Sequence, residues 1–499
     1  MRYGFLFGAG AEIAYNLPSG GRFALDIFKM DSSYPKKKFK EKRARVIQST
    51  PYASDWLPMD YISKNIGTFG KSVFQSIIMS TIEHRRDEIV RKINNIDNAA
   101  MNVIASLKSE GKDVDASFYD LLGIDINNVR LSQVIAYNKY LDEGNELFKS
   151  NYFSGLLLVY KSRTEGDRRS LGKVIMSIMQ LHLGALSASL SKNINDNLFS
   201  KKDDGIDIFD DFGELIQLNY SAAGVTGLEL LLEPYESRLE DSYSIILEFA
   251  YCLMEEVYAS VLDYKSLIDS YWHYLYSPSS DWAKFCKISI FLLTVHEYIN
   301  TLGKTANKDN EDGYYNMLKT EIDSDNISVS AIATTNYNTL IEDILGEGYS
   351  IIHLNGSVDM WYDPYLNKIG PEEEVATEEN HITVPLLFTQ SGTKPMTSIG
   401  MSINYVNLYN NWKDSDEIVI VGYGFGTDDE HINGILRTLV NDDEKTLCVV
   451  TLNEGKTEHE TVVDISKNLK IMDYRRIRVL LVDKTGRIHG KKWTELLRE

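Results

Sequence analysis

The sequence predicts an α/β protein built on a Rossmann-like, parallel, doubly wound sheet with a large helical insertion. Three observations predict it. An apolar run, Tyr3-Gly4-Phe5-Leu6-Phe7, leads directly into Gly8-Ala9-Gly10, the texture of a strand buried on both faces and followed by a tight turn. Short β-rich runs alternate with helical stretches toward the C-terminus, the signature of parallel strands joined by helices. Between these two regions lies a long stretch of helical periodicity, poor in Gly and Pro.

The first region reads strand, glycine turn, helix: Ala11–Asn16 can start a helix, and Pro18-Ser19-Gly20-Gly21 breaks the chain again. In the middle zone, Leu171–Leu190 places Val174, Ile175, Ile178, Met179, His182 and Leu186 at three- and four-residue steps. Ser242–Ile268 repeats the pattern with Ile245, Ile246, Phe249, Cys252, Leu253 and Val257, and acidic stretches such as Lys201–Phe212 punctuate the zone. The last region supplies the strand candidates Ile327–Ala333, Tyr349–Leu354, Ile382–Phe388, Glu417–Val421, Thr446–Leu452 and Ile477–Val482, with helices at Met396–Trp412 and Thr427–Val440. The opening strand has too little sheet of its own, so it is expected to join the C-terminal sheet. The expected organisation is residues 1–59 and 326–499 as one Rossmann domain, with 60–325 as a helical insertion.

The chain has 499 residues, enough for about three domain-equivalents, and a chain of this length folds without disulfides or a structural metal. Its 52 Lys+Arg against 72 Asp+Glu leave a net charge of −20, which argues against a protein that grips phosphate backbones. The run Lys36–Arg45 is locally basic. It reads as a solvated loop, with attraction to an acidic partner or nucleic acid as the alternative. Cys252, Cys286 and Cys448 are scattered, which excludes a four-cysteine zinc ribbon and points to a reducing compartment. The longest apolar stretches, such as Ile288–Val295, fall far short of the ~20 residues of a spanning helix. The N-terminal apolar run is too short for a signal peptide, so a cytoplasmic location is expected, with no membrane partner.

Four segments at predicted strand ends carry candidate chemistry. Gly8-Ala9-Gly10 could approach a pyrophosphate, although Ile13 occupies the place of the dehydrogenase motif's third small residue and Glu12 adds negative charge. A plain tight turn explains it equally. Ala333-Thr334-Thr335-Asn336-Tyr337-Asn338 places an amide that both donates and accepts at a strand's carboxyl end, or else supplies a helix cap. In Ile351–Asp359, His353 and Asn355 share one strand face, and His353 is a candidate general base or a structural histidine. Ile418–Asn433 runs from a buried strand through Gly422-Tyr423-Gly424-Phe425-Gly426 into a helix. Such a turn wraps a nucleoside or simply connects two elements.

Taken in order, GAGAEIAYNLPSG, ATTNYNTLIED, HLNGSVD and IVIVGYGFGTDDEHIN resemble the sirtuin-like family of NAD-binding proteins, above all its divergent bacterial members that degrade NAD in anti-phage defence. Pro385–Met396 resembles a further stretch of that family, and the likeness covers about 200 residues of the sheet but none of the helical middle. The resemblance implies NAD as substrate, no metal, and hydrolysis to nicotinamide and ADP-ribose as the reaction. It implies that Gly8, Ala9 and Gly10 approach the phosphates, Pro18 and Ser19 shape the loop above them, and Asn336 holds the ribose and attacking water. Gly422, Tyr423, Gly424 and Phe425 would close around the adenosine half. Glu12, Thr335, Tyr337, Gly356 and Ser357 complete the expected cofactor-binding set, with Asn336, His353 and Asn355 as the catalytic candidates.

The sequence departs from the family pattern at four places. Asn338 stands where an aspartate is usual, and Asn355 stands where the family has its catalytic histidine. His353 is displaced from that place by two positions, and Arg22 lies one residue late relative to the arginine of deacylating members. The first expectation is therefore an NAD hydrolase effector, silent until a homo-oligomer or a sensor subunit encoded nearby assembles it. The second is a non-catalytic NAD- or nucleotide-binding sensor or scaffold subunit of a defence complex, for which Asn355 is the main argument.

Overall fold

A computed structural model describes residues 1–18, 20–129, 146–186, 205–207, 217–219, 225–232, 235, 241–259, 264–346, 348–376, 378–387, 398–426, 429–453 and 455–498. Its centre is a six-stranded, all-parallel sheet. Numbered within this sheet, the strands are β1 (Arg2–Phe7), β2 (Ser328–Thr334), β3 (Ile351–His353), β4 (Glu417–Val421), β5 (Thr446–Leu452) and β6 (Ile477–Val482). Their order is β6-β5-β4-β1-β2-β3, the doubly wound order in which the winding reverses between the first and fourth strands. The N-terminal strand thus sits mid-sheet between two C-terminal ones, as its apolar run requires.

Register fixes the geometry that matters for function. Val421 of β4 is level with Phe7 of β1, Phe7 with Thr334 of β2, and Thr334 with His353 of β3. All four sequence motifs therefore leave the sheet from one row. On the faces, Phe5, Phe7, Val419, Val421, Cys448 and Val450 pack in one core with Tyr315, Leu318 and Trp493. Trp412, from the helix Ile399–Lys413, lies over Gly4, where a Cβ would run into its indole. Gly4 is thus the notch in β1 that admits a fully buried tryptophan.

The chain divides into two compact units. One comprises Met1–Gly20, Met30–Phe69 and Lys265–Glu499, the other Gly21–Lys29 and Gly70–Tyr264. Among its described residues the second is built of helices and a short antiparallel pair, Gly205–Asp207 with Gln217–Asn219. Its helices Glu165–Leu186 and Ser242–Ala259 bury Val174, Ile175, Ile178, Met179, Phe249 and Leu253, so the periodicity in the sequence marks true core faces. His182 is fully buried in that series, and burial pushes its ring down to about 4. Residues 265–325, which the sequence reading assigned to the insertion, fall in the unit that carries the sheet. The reason is visible in the helix Tyr314–Asp323, whose Tyr315, Met317 and Leu318 belong to the sheet's own core.

Three local expectations differ from the structure. The break at Pro18–Gly21 is brief, because a helix starts at Gly20 and runs to Lys29. The basic run is not a loop but the helix Ser33–Arg45. Its Phe39 is buried against Trp282 and Phe285, and Lys42 pairs with Glu372 while its ammonium sits 4.2 Å from the Trp361 ring centre. Part of the positive charge is thus spent internally. The run Ile382–Phe388 does not join the parallel sheet. Val384–Leu387 pairs antiparallel with Gly356–Asp363, which pairs in turn with Lys368–Gly370, forming a separate three-stranded sheet. Among the described residues no helix is long and apolar enough to cross a membrane.

Because Trp412 is completely buried over Gly4, Trp412→Ala is expected to destabilise the sheet by about 3–5 kcal/mol. Urea unfolding followed by circular dichroism measures it, and a loss below about 1 kcal/mol would contradict this packing.

Candidate functional site

At the row of strand ends, the two halves of the winding touch through backbone alone. Gly8 follows β1 and Gly422 follows β4. A Cβ on Gly8 would lie 2.5 Å from the Gly422 carbonyl oxygen, and one on Gly10 would lie 2.9 Å from the Gly422 Cα. Gly422 itself adopts φ +64°, and a side chain there would strike the Ala11 amide, so glycine is required on both counts. The Gly8 N–H donates to the Val421 carbonyl and the Gly10 N–H to the Gly422 carbonyl, each at 2.9 Å. Those two donors, which the resemblance assigns to cofactor phosphates, are spent here on joining β1 to β4. Ala9 stands exposed at the tip, at the start of the 3₁₀ helix Ala9–Tyr15.

That helix carries Glu12 inward. Its carboxylate accepts from the Tyr315 hydroxyl at 2.9 Å and from Asn338 Nδ2 at 2.6 Å. Burial disfavours its charge, and the bonds from Asn338, Tyr315 and Asn336 with the nearby His353 offset this only in part, leaving its pKa raised to about 7. The same burial, followed by the Glu12 charge, lifts the Tyr315 hydroxyl well above the usual tyrosine range. Asn338, the residue in place of the family's aspartate, is thus a donor to Glu12, and a second carboxylate there would face the first.

Asn336 is buried at the end of β2. Its Nδ2 lies 3.1 Å from the Gly8 carbonyl and 3.3 Å from the Tyr315 hydroxyl, and its N–H is held by Thr334 Oγ1. Its own carbonyl accepts from His353 Nδ1 at 2.9 Å, while His353 Nε2 meets Glu342 Oε1 at 2.6 Å. A carbonyl only accepts, so Nδ1 donates to Asn336, and Nε2 shares a proton with the Glu342 carboxyl. Burial opposes charge on the ring most strongly, yet the Glu342 bond and charge, the Asn336 carbonyl and Glu12 together raise its pKa. The expected role of His353 as a proton acceptor does not suit this environment. Its ring is a clamp between the end of β2 and the helix Leu340–Leu345.

The remaining predicted residues distribute as follows. Thr335 ties β2 to β1 through its N–H on the Phe7 carbonyl, and the Tyr337 carbonyl accepts from Val358. Asn355 is 1% exposed; its Nδ2 lies 3.4 Å from the Thr335 carbonyl and its Oδ1 has no partner. Gly356 has φ +83° against the Leu386 carbonyl, and Ser357 is buried beside it. Tyr423 donates to Asn433 Oδ1 at 3.0 Å and stands edge-on to Phe425. Pro18 is half-buried, and Ser19 lies outside the described residues, as does most of the stretch up to Met396. Arg22 is engaged by Asp26 and Glu255. Among the described residues, no group of three or more His, Cys, Asp or Glu is placed to hold a metal.

The structure thus gathers Glu12, Asn336 and His353 into one network and adds Tyr315, Asn338 and Glu342 to it. Tyr315 carried no sequence signal, and Glu342 lay within the ATTNYNTLIED segment without a role. One sits in the helical stretch before β2 and the other looks like an ordinary acidic first turn, and only long-range pairing gives them roles. A second acid-bound histidine, His381, bridges Asp363 at 2.6 Å and Glu379 at 3.1 Å under the ring of Tyr52, away from the glycine turns. No protein-family model, no curated protein and no solved structure matches this chain.

The raised pKa of Glu12 has a sign. The folded state holds the proton more tightly than the unfolded chain, so this group's contribution is full below about pH 4.5 and is lost as pH rises toward about 7. At ~1.4 kcal/mol per unit that is about 3 kcal/mol. His353, also raised, loses its contribution in the same direction from pH 6.5 upward. In urea unfolding between pH 4.5 and 6.5, the stability of Glu12→Gln relative to the wild type is expected to rise with pH; equal slopes would remove this account of Glu12.

Proposed function

We propose that this protein is an NAD hydrolase acting at the carboxyl ends of β1, β2 and β4, and that it serves as an NAD-depleting effector in bacterial anti-phage defence. The observation that carries the reading is the single row Val421, Phe7, Thr334 and His353. From it emerge all four segments of the sirtuin-like resemblance, although 327 residues separate Phe7 from Thr334. The order β6-β5-β4-β1-β2-β3 supports it further, since ligands of such sheets bind where the winding reverses.

Cleavage of the nicotinamide–ribose bond leaves a centre with oxocarbenium character. The protein has to hold the ribose, orient water and oppose the developing positive charge. Asn336 is fixed from three directions and can orient a hydroxyl or a water without reorganising. Glu12, near its own pKa at neutral pH, supplies negative charge behind it. An effector of this kind is toxic to its own cell, so control by a homo-oligomer or by a sensor subunit is part of the proposal. A second reading, a non-catalytic nucleotide-binding subunit, is favoured by one observation: both ring nitrogens of His353 are already engaged by Asn336 and Glu342.

Nicotinamide release from NAD, followed by chromatography on purified protein and on lysate of phage-challenged cells, separates the two. The hydrolase reading predicts release that falls about 100-fold or more in Asn336→Ala, with the fold checked by circular dichroism. NAD binding without release in either setting would support the non-catalytic subunit.

A further inference from the structure

Two side chains beside the row of strand ends, the half-buried His431 and the buried Asn355, carry shielded polar atoms with nothing to bond. Both ring nitrogens of His431 are shielded from water and lack a partner, and so is the Oδ1 of Asn355. Tyr405 links them: its ring stands edge-on to His431 at 5.8 Å between centres, and its hydroxyl donates to the Leu354 carbonyl, one residue before Asn355. His431 opens the helix Glu430–Asn441, directly after the glycine-rich turn that leaves β4. The buried Asp429 lies beside it, and its charge helps to raise both Tyr405 and Tyr423 after burial itself.

Unmade hydrogen bonds are a standing cost to a fold. In the same unit, His353 and His381 bond acceptors through both ring nitrogens, and His296 bonds the Val358 carbonyl. His431 does not. His182 is also unpartnered, but it sits among Ile178, Met179 and Leu181 of a helical core, whereas His431 follows the glycine turn that leaves β4. Burial pushes the His431 ring down to about 4, so at neutral pH one nitrogen donates and the other holds a lone pair. With Asn355 Oδ1 that makes two acceptors and one donor, a set that matches a vicinal diol. At Gly424 and Gly426 an added Cβ would meet nothing, which leaves the turn room to admit a ligand.

We propose that His431, not His353, is the proton acceptor of the strand-end site, and that His431 and Asn355 together face the ribosyl group whose nicotinamide bond is broken. This rests on the NAD-hydrolase reading. In the step, water oxygen bonds to the ribose C1′ while its proton passes to the free nitrogen of His431. The C1′–N bond breaks with its electron pair returning to the pyridinium ring, so nicotinamide leaves neutral, and His431 then releases the proton to solvent. Asn355 accepts from a ribose hydroxyl and so takes a binding role at the family's histidine position.

The test uses the full chain and three readouts: NAD affinity by calorimetry, nicotinamide release, and melting temperature. For His431→Phe the expected result is a melting temperature equal to or above that of the wild type, because an unpartnered polar group has been removed. Nicotinamide release should fall about 100-fold or more. Added imidazole should restore part of the rate to His431→Gly. Wild-type release in His431→Phe overturns the assignment, as does a lowered melting temperature combined with no imidazole rescue. A wild type that neither binds NAD nor releases nicotinamide overturns the hydrolase reading itself. A wild type that is active alongside an equally active His431→Phe overturns only the role of His431.

Discussion

The backbone contact between Gly8, Gly10 and Gly422 is the constraint on which the rest depends. Three residues without a Cβ allow the first turns of the two half-windings to close on each other, and two N–H···O bonds fix them there. With that contact made, β1 and β4 end level, and β2 and β3 follow through their own register. Any side chain at Gly422 would force the turns apart and shift Glu12 and Asn336 together, since Asn336 is anchored on the Gly8 carbonyl. Stability and site geometry therefore rest on the same few atoms.

Around this contact the protein buries charge it could have avoided. Glu12 is held by donors only, and His353 by acceptors only. Complementary environments of this kind separate the protonation behaviour of neighbouring groups, and here they favour the charge of the histidine beside a carboxyl whose pKa burial raises to about 7. Such an arrangement is costly for a purely structural network, because apolar packing would serve the same purpose at less expense. Its concentration at the strand ends, where α/β sheets bind ligands, gives the cost a functional sense.

The sheet was legible because parallel strands buried on both faces leave continuous apolar runs, as Tyr3–Phe7 and Ile418–Val421 do. The antiparallel sheet was less so. Gly356–Asp363 is buried at both ends and open in the middle, so it lacks the alternation that marks a one-sided strand. The helix Ser33–Arg45 hid behind its charge, because only Pro35 and Phe39 are buried on it. At the site, glycines and amides at strand ends were readable because the end of a strand is a position the sequence specifies. Tyr315 was not, since its partner Glu12 lies 303 residues away. His431 was part of a recognised motif yet carried no role until its missing hydrogen bonds could be seen.

The most direct test of the account is hydrogen–deuterium exchange on the full chain with and without NAD. The account predicts slowed exchange in peptides covering Gly8–Tyr15, Thr335–Asn338 and Gly422–Gly426, three segments that meet only at the strand-end row. Protection confined to other parts of the chain, or no protection at saturating NAD, would contradict it.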